Sequence, residues 1–284
     1  ITVSYHGVPR SGEGFGSFAI GQQPDSSATL WTLSEPYGAK DWWPCKQDLY
    51  DKIDSVDLDI TTPEAYRAGS NGLLVSESDE DGRTTWHWRH RYPIAYYLIS
   101  IAVADYVVFT GDIVIGPDTI PMLTYSWNDN PGMADANAGD VENQMALFSA
   151  LFGLYPFADE KYGHAQFGWG GGMEHQTMTS MGGWSYELAA HELAHQWFGD
   201  KVTCGSWVDI WLNEGFATYL QGMCYEFLGP QYWRGYKAGK IESVISEPGG
   251  SVFCTDTTSV GRVFNGRLSY NKGEMVLHML RWVC

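Results

Sequence analysis

His191-Glu192-Leu193-Ala194-His195, followed after eighteen residues by Glu214, is the stretch on which the reading of this chain turns. On a helix, residues four apart share one face, with Cβ atoms about 5–6 Å apart. Two histidines so placed can aim ring nitrogens at a common point about 2.0–2.1 Å from each. The flanks predict such a helix. Ser185 is a fitting N-cap, Tyr186 to Phe198 contains neither proline nor glycine, and Gly199 sits where a left-handed C-cap belongs. Glu192 projects roughly 100° around the axis from His191, so it can work on water beside a metal without ligating the ion. Trp211 to Leu228 reads as a second helix, stopped by Gly229-Pro230, with Glu214 in its first turn. Two histidines and one glutamate, His191, His195 and Glu214, leave a fourth position open. That is the ligand count of a catalytic zinc rather than a structural one, and one Zn²⁺ per chain is expected.

Composition narrows the alternatives. The chain has 284 residues, 44% hydrophobic and 15% aromatic, enough for a sizeable core and against disorder. Its formal charge of −17 argues against nucleic acid as a partner and favours a cationic or positively ended substrate. The five cysteines, at 45, 204, 224, 254 and 284, contain no CxxC pair, which excludes a zinc-finger or thioredoxin reading. The apolar run from Tyr92 to Phe109 carries Pro93, Ser100 and Asp105 and is rich in β-branched and aromatic residues. It predicts two buried strands rather than a transmembrane segment. The chain starts without methionine, in what reads as mid-strand, and ends in a helical pattern, Tyr270 to Cys284, with no stop signal. A fragment is therefore expected. The cellular address stays open, with a secreted or periplasmic setting favoured over a cytoplasmic one.

Along the chain, residues 1–127 carry β-type signals. Leu73–Glu77 and Thr84–Arg89 flank an acidic turn ending in Asp81-Gly82, which predicts a hairpin. His87 and His90 lie three apart on one of these strands and face opposite sides, so a satisfied surface role is expected for both. Asn128 to Gly139, rich in Asn, Asp, Gly and Pro, reads as the domain boundary, and Val141 to Phe152 has helical apolar spacing. Two domains are expected, residues 1–127 and residues 128–284.

The zinc motif together with its flanks resembles the M1 family of zinc aminopeptidases, of bacterial type. The resemblance is carried by His191–Asp200 and Trp211–Ala217. It is carried also by Gly171-Gly172-Met173-Glu174-His175, similar to the family's exopeptidase motif, by Tyr270-Asn271-Lys272-Gly273, and by Thr32–Glu35 with Pro44-Cys45. It implies a multi-domain fold: an all-β N-terminal saddle or sandwich, then an α/β thermolysin-like zinc-peptidase domain, each incomplete in this chain. It implies peptide substrates with a free N-terminus. Glu192 would be the general base, and Tyr270 would stabilise the oxyanion. Glu174, aided by Glu35, would anchor the α-ammonium, with Gly171, Gly172 and Met173 lining the substrate backbone. His175 stands where the family usually has asparagine. An endopeptidase with the same helix pair and a scaffold without catalysis are the competing readings. The exopeptidase motif speaks against the first, the complete ligand set against the second.

Overall fold

The computed structural model describes residues 1–10, 15–129 and 131–284. Asn130, in the expected domain boundary, lies outside them. The fold divides into two compact units that interleave along the sequence. One comprises residues 1–139 and 157–184, the other residues 140–156 and 185–284.

The first unit is built from strands β1 (Ser17–Gln22), β2 (Ala28–Leu33), β3 (Val56–Pro63), β4 (Arg67–Ser70), β5 (Leu73–Glu80), β6 (Arg83–His90), β7 (Ile101–Ala104), β8 (Val107–Ile115), β9 (Asp118–Ser126), β10 (Tyr162–Gln166), β11 (Gly172–Met173) and β12 (Thr179–Met181). They form three sheets, ordered β1-β2-β7-β4, β3-β6-β5 and β11-β12-β10-β9-β8. The parallel pairing of β10 with β9 joins residues on either side of 127/128 in one sheet. Strand β6 shows why these segments are strands. Thr84, Trp86, Trp88 and His90 point inward while Arg83, Thr85, His87 and Arg89 alternate outward, the period of two that a half-buried sheet requires. Its tryptophans pack with Ala68, Ala102, Tyr106, Tyr125, Ala165 and Met178 in one core cluster.

The expected hairpin is β5–β6. Asp81 and Gly82 both take positive φ, 49° and 72°, the geometry whose twist matches paired strands. The 92–109 run is only partly strand. Tyr96–Leu98 forms a 3₁₀ turn before β7 and β8, so buried hydrophobicity there serves a turn as well as strands. His90 departs from expectation. It is fully buried, whereas His87 lies outside against Asp57 and Asp59.

The second unit is helical. Helix α1 (Pro131–Phe152), whose residues 140–152 belong to it, begins well before Val141. Pro131 suits a first helical turn and alanines at 134 and 138 favour propagation, so the expected boundary segment is largely helix. Then follow α2 (Tyr186–His195), α3 (Trp211–Phe227), α4 (Pro230–Ile245), α5 (Val260–Val263) and α6 (Gly273–Val283). Gly229-Pro230 ends α3 as expected, but the same proline opens α4, which the sequence reading missed. The segment Gly266–Lys272 is π-helical rather than the start of a regular α-helix. No helix among the described residues is long and apolar enough to cross a membrane. The expected order, a β-rich region followed by a helical one, is observed.

Candidate metal centre

The centre begins with a cap. Ser185 is extended and its Oγ accepts the Leu188 N–H at 3.2 Å, which starts α2. The helix stops at His195, three residues short of the expected end, because the chain must fold back over that histidine. Trp197 packs against Phe148 and Tyr155 and donates to the Gly153 carbonyl at 2.9 Å. Phe198 stacks on Phe216 of α3, with centroids 4.2 Å apart and planes 11° from parallel. That stack fixes the Phe198 carbonyl, which accepts from His195 Nδ1 at 3.2 Å. Gly199, at φ +140°, completes the turn, and a Cβ there would lie 2.6 Å from Asn213 Oδ1 and 3.0 Å from His195 Nδ1.

A carbonyl can only accept, so His195 carries its proton on Nδ1 and its lone pair on Nε2. The lone pair meets two other donor atoms. His195 Nε2 lies 3.1 Å from His191 Nε2 and 3.3 Å from Glu214 Oε2, and His191 Nε2 lies 3.2 Å from that same oxygen. Hydrogen bonding cannot account for this triangle, since in the neutral rings only His191 Nε2 has a proton to offer three contacts. A metal accounts for it directly. Ligands of a tetrahedral ion at about 2.0–2.1 Å stand about 3.2–3.4 Å from one another. His191, His195 and Glu214 can hold a divalent cation.

The electrostatics agree. Burial pushes the His191 imidazole down, the nearby His195 adds to this, and Glu214 only partly opposes it, so the ring is neutral as a ligand must be. Burial alone would raise the Glu214 carboxyl. The adjacent imidazoles of His191 and His195 outweigh it and hold the group at about 2. Two neutral rings and one carboxylate are a fitting set for a dication.

Tyr270 reaches the same carboxylate from the π-helical segment. Its hydroxyl donates to Glu214 Oε1 at 2.9 Å, and its ring lies 16° from parallel with His191 at 5.8 Å. This approach depends on two glycines. A Cβ on Gly215 or on Gly273 would come within 2.9 Å of the other's Cα, so bare backbone lets α6 and its π-helical lead-in close on α3. Glu192, between the two histidines in sequence, is buried.

The remaining predicted site residues belong to the first unit. Glu35 is buried just beyond β2, and Glu174 is buried just beyond β11. Gly172 and Met173 are β11 itself, paired with Met181 and Ser180. Gly171 takes φ +118° and its carbonyl accepts the Gly182 N–H at 2.8 Å. His175 is buried with Nδ1 2.9 Å from Ser180 Oγ, and burial pushes its pKa down to about 3, so the ring is neutral.

Residues 174–284 match the model of the Peptidase family M1 domain. The chain is similar to members of peptidase family M1. It is 29% identical to human (Homo sapiens) glutamyl aminopeptidase over 89% of its own length, but spans only 29% of that protein. Among solved structures it is similar to a mutant two-domain M1 zinc metallopeptidase bound to L-tryptophan. The TM-score is 0.84 at 27% identity, over 98% of this chain and 63% of that one. It is similar also to a mutant M1 zinc metallopeptidase from Deinococcus radiodurans bound to a Tyr-Ser-Ala substrate, with TM-score 0.81 at 26% identity, over 94% of this chain and 62% of that one.

Sequence reasoning missed one cluster beside the M1 motifs. Glu274 is fully buried, with Lys240 Nζ 3.9 Å from its carboxylate and the Tyr236 hydroxyl 3.4 Å away. Burial pushes its pKa up to about 8, against the opposing charge of Lys240. Its position directly after Tyr270–Gly273 was the available signal, but sequence spacing does not reveal a partner on α4.

Proposed function

We propose that this protein is a zinc-dependent aminopeptidase, a hydrolase that removes the N-terminal residue from peptides. The observation that carries this is the triangle of His191, His195 and Glu214 donor atoms, 3.1–3.3 Å on each side. Zinc bound there supplies a Lewis acid for the scissile carbonyl and an acidified water. The chain's own residues do the rest. Glu192 takes the water's proton and passes it to the leaving amine. The Tyr270 hydroxyl donates to the oxyanion, leaving its resting bond to Glu214 Oε1. Glu174, with Glu35, pairs with the α-ammonium of the substrate, and Gly171, Gly172 and Met173 lie along its backbone. A charge-assisted bond of about 1.5–3 kcal/mol gives roughly ten- to a hundred-fold preference for a free amino terminus. The Tyr-Ser-Ala ligand of the Deinococcus radiodurans relative supports a peptide substrate class.

The test is a panel of aminoacyl reporter amides and their N-acetyl counterparts, assayed with zinc-loaded protein and with a chelator present. The expected result is chelator-sensitive cleavage of free-amine substrates only. Equal rates on acetylated substrates would establish an endopeptidase instead.

A further inference from the structure

Glu174 opens a short connection, residues 174–178, between β11 and β12, and this turn is held in an unusual way. Its base is closed by the pairing of Gly172 with Met181 and Met173 with Ser180. Glu174, His175, Gln176 and Thr177 are all buried, so no solvent serves their backbone. Buried side chains from distant strands serve it instead. Asn71 Nδ2 donates to the Gln176 carbonyl at 2.7 Å and to the Leu98 carbonyl at 2.9 Å, while Asn71 Oδ1 accepts the Ser100 N–H at 2.9 Å. Lys161 Nζ donates to the Thr177 carbonyl at 2.8 Å, and Thr177 Oγ1 accepts the Gly72 N–H at 2.7 Å. Thr177 itself sits at φ +65°, a costly conformation for a β-branched residue that persists only where its surroundings dictate it.

The Gln176 side chain is fixed by a relay. Its Nε2 lies 3.1 Å from the Pro93 carbonyl, which can only accept, so the amide nitrogen faces that way. The same nitrogen lies 2.7 Å from His90 Nε2, which must then accept. His90 therefore carries its proton on Nδ1, donating to Glu160 Oε2 at 2.5 Å, while Glu160 Oε1 accepts the Arg91 N–H at 2.7 Å. Every one of these groups lies within the first unit.

A hairpin connection needs none of this to exist. Three buried polar devices converge on the residues just after the carboxylate read above as the amine anchor. We propose that Asn71, Lys161 and Gln176, the last supported by His90 and Glu160, are positioning residues that hold the 174–178 turn so that Glu174 presents its carboxylate to the substrate ammonium. This rests on the reading of Glu174 as the amine anchor. Lys161 suits the task. Burial pushes its pKa down to about 7, and a neutral amine still has two N–H groups for the carbonyls of Thr177 and Ser70.

The experiment compares Lys161→Met and Gln176→Met with Glu174→Gln, all zinc-loaded, on a free-amine reporter amide and its acetylated form. Small displacements of a substrate clamp weaken productive binding strongly, so each Met variant is expected to raise KM for the free-amine substrate about tenfold, with kcat within about threefold, and to narrow the free-over-acetyl preference. KM is independent of the folded fraction, so partial loss of protein does not disturb this readout. If the Met variants keep the parent KM and preference while only their melting temperature falls, the turn is scaffold and the proposal is overturned, though the anchor reading stands. If Glu174→Gln retains the full preference, the anchor reading fails and the positioning role with it.

Discussion

Gly199→Ala should loosen the metal centre from outside its ligand set. The new Cβ would lie 2.6 Å from Asn213 Oδ1 and 3.0 Å from His195 Nδ1, where ordinary contact begins near 3.4 Å. Relief therefore takes about 0.8 Å at the asparagine and about 0.4 Å at the imidazole, by difference from those distances. The backbone adds strain, because φ +140° is rarely adopted by an L side chain and costs about 1–3 kcal/mol. The cheapest response is to rotate the His195 ring, which breaks its bond to the Phe198 carbonyl. That bond fixes the tautomer which aims Nε2 at the ion, and loss of such a support weakens metal binding about 10- to 100-fold, or about 1.4–2.8 kcal/mol. The assay is zinc competition with a chromophoric chelator, paired with urea unfolding of the metal-free protein. Gly235→Ala on exposed α4, where a Cβ meets nothing within 4 Å, serves as control and should leave zinc affinity unchanged. A Gly199→Ala protein that binds zinc within about twofold of the parent would refute the argument, since the Phe198 carbonyl would then not govern the ring.

Glu192→Gln should retain zinc yet lose hydrolysis by about 100-fold or more, because an amide cannot take the proton; metal content and turnover measured on the same sample check this. Tyr270→Phe should lower kcat about 100- to 1,000-fold with KM little changed, as steady-state kinetics will show, and should weaken zinc only slightly through the lost bond to Glu214 Oε1. Glu274 gives a pH signature. Burial raises its pKa from 4.5 to about 8 in the folded state, so the fold holds a proton that the unfolded chain releases. Its contribution is full below pH 4.5 and is lost as pH rises through about 8. Glu274→Gln should therefore gain stability relative to the parent by about one to several kcal/mol between pH 5 and pH 8, measured by urea unfolding of metal-free protein. A stability difference independent of pH would show that Glu274 titrates normally.

What could be read directly from the sequence was local. The i, i+4 histidines, the Ser185 cap and the Asp81-Gly82 turn each express their geometry within a few residues, where helix pitch and turn sterics leave little choice. Glu214 was legible because its helix has its own periodicity and stop signal. Tertiary structure decided what depended on distant partners. Tyr270 meets Glu214 because Gly215 and Gly273 let two helices touch and a π-helical turn shifts the register, none of which spacing encodes. His90 looked like a surface residue because strand alternation states only which side a residue faces, not that Glu160 and Gln176 wait there to make burial tolerable. The His195 tautomer was fixed by a carbonyl three residues on, held in place by an aromatic stack with another helix. Residue identity and short-range sterics thus named the candidate ligands, while long-range packing chose their protonation, their reach and their rigidity, since those are set by neighbours that only the folded chain brings together.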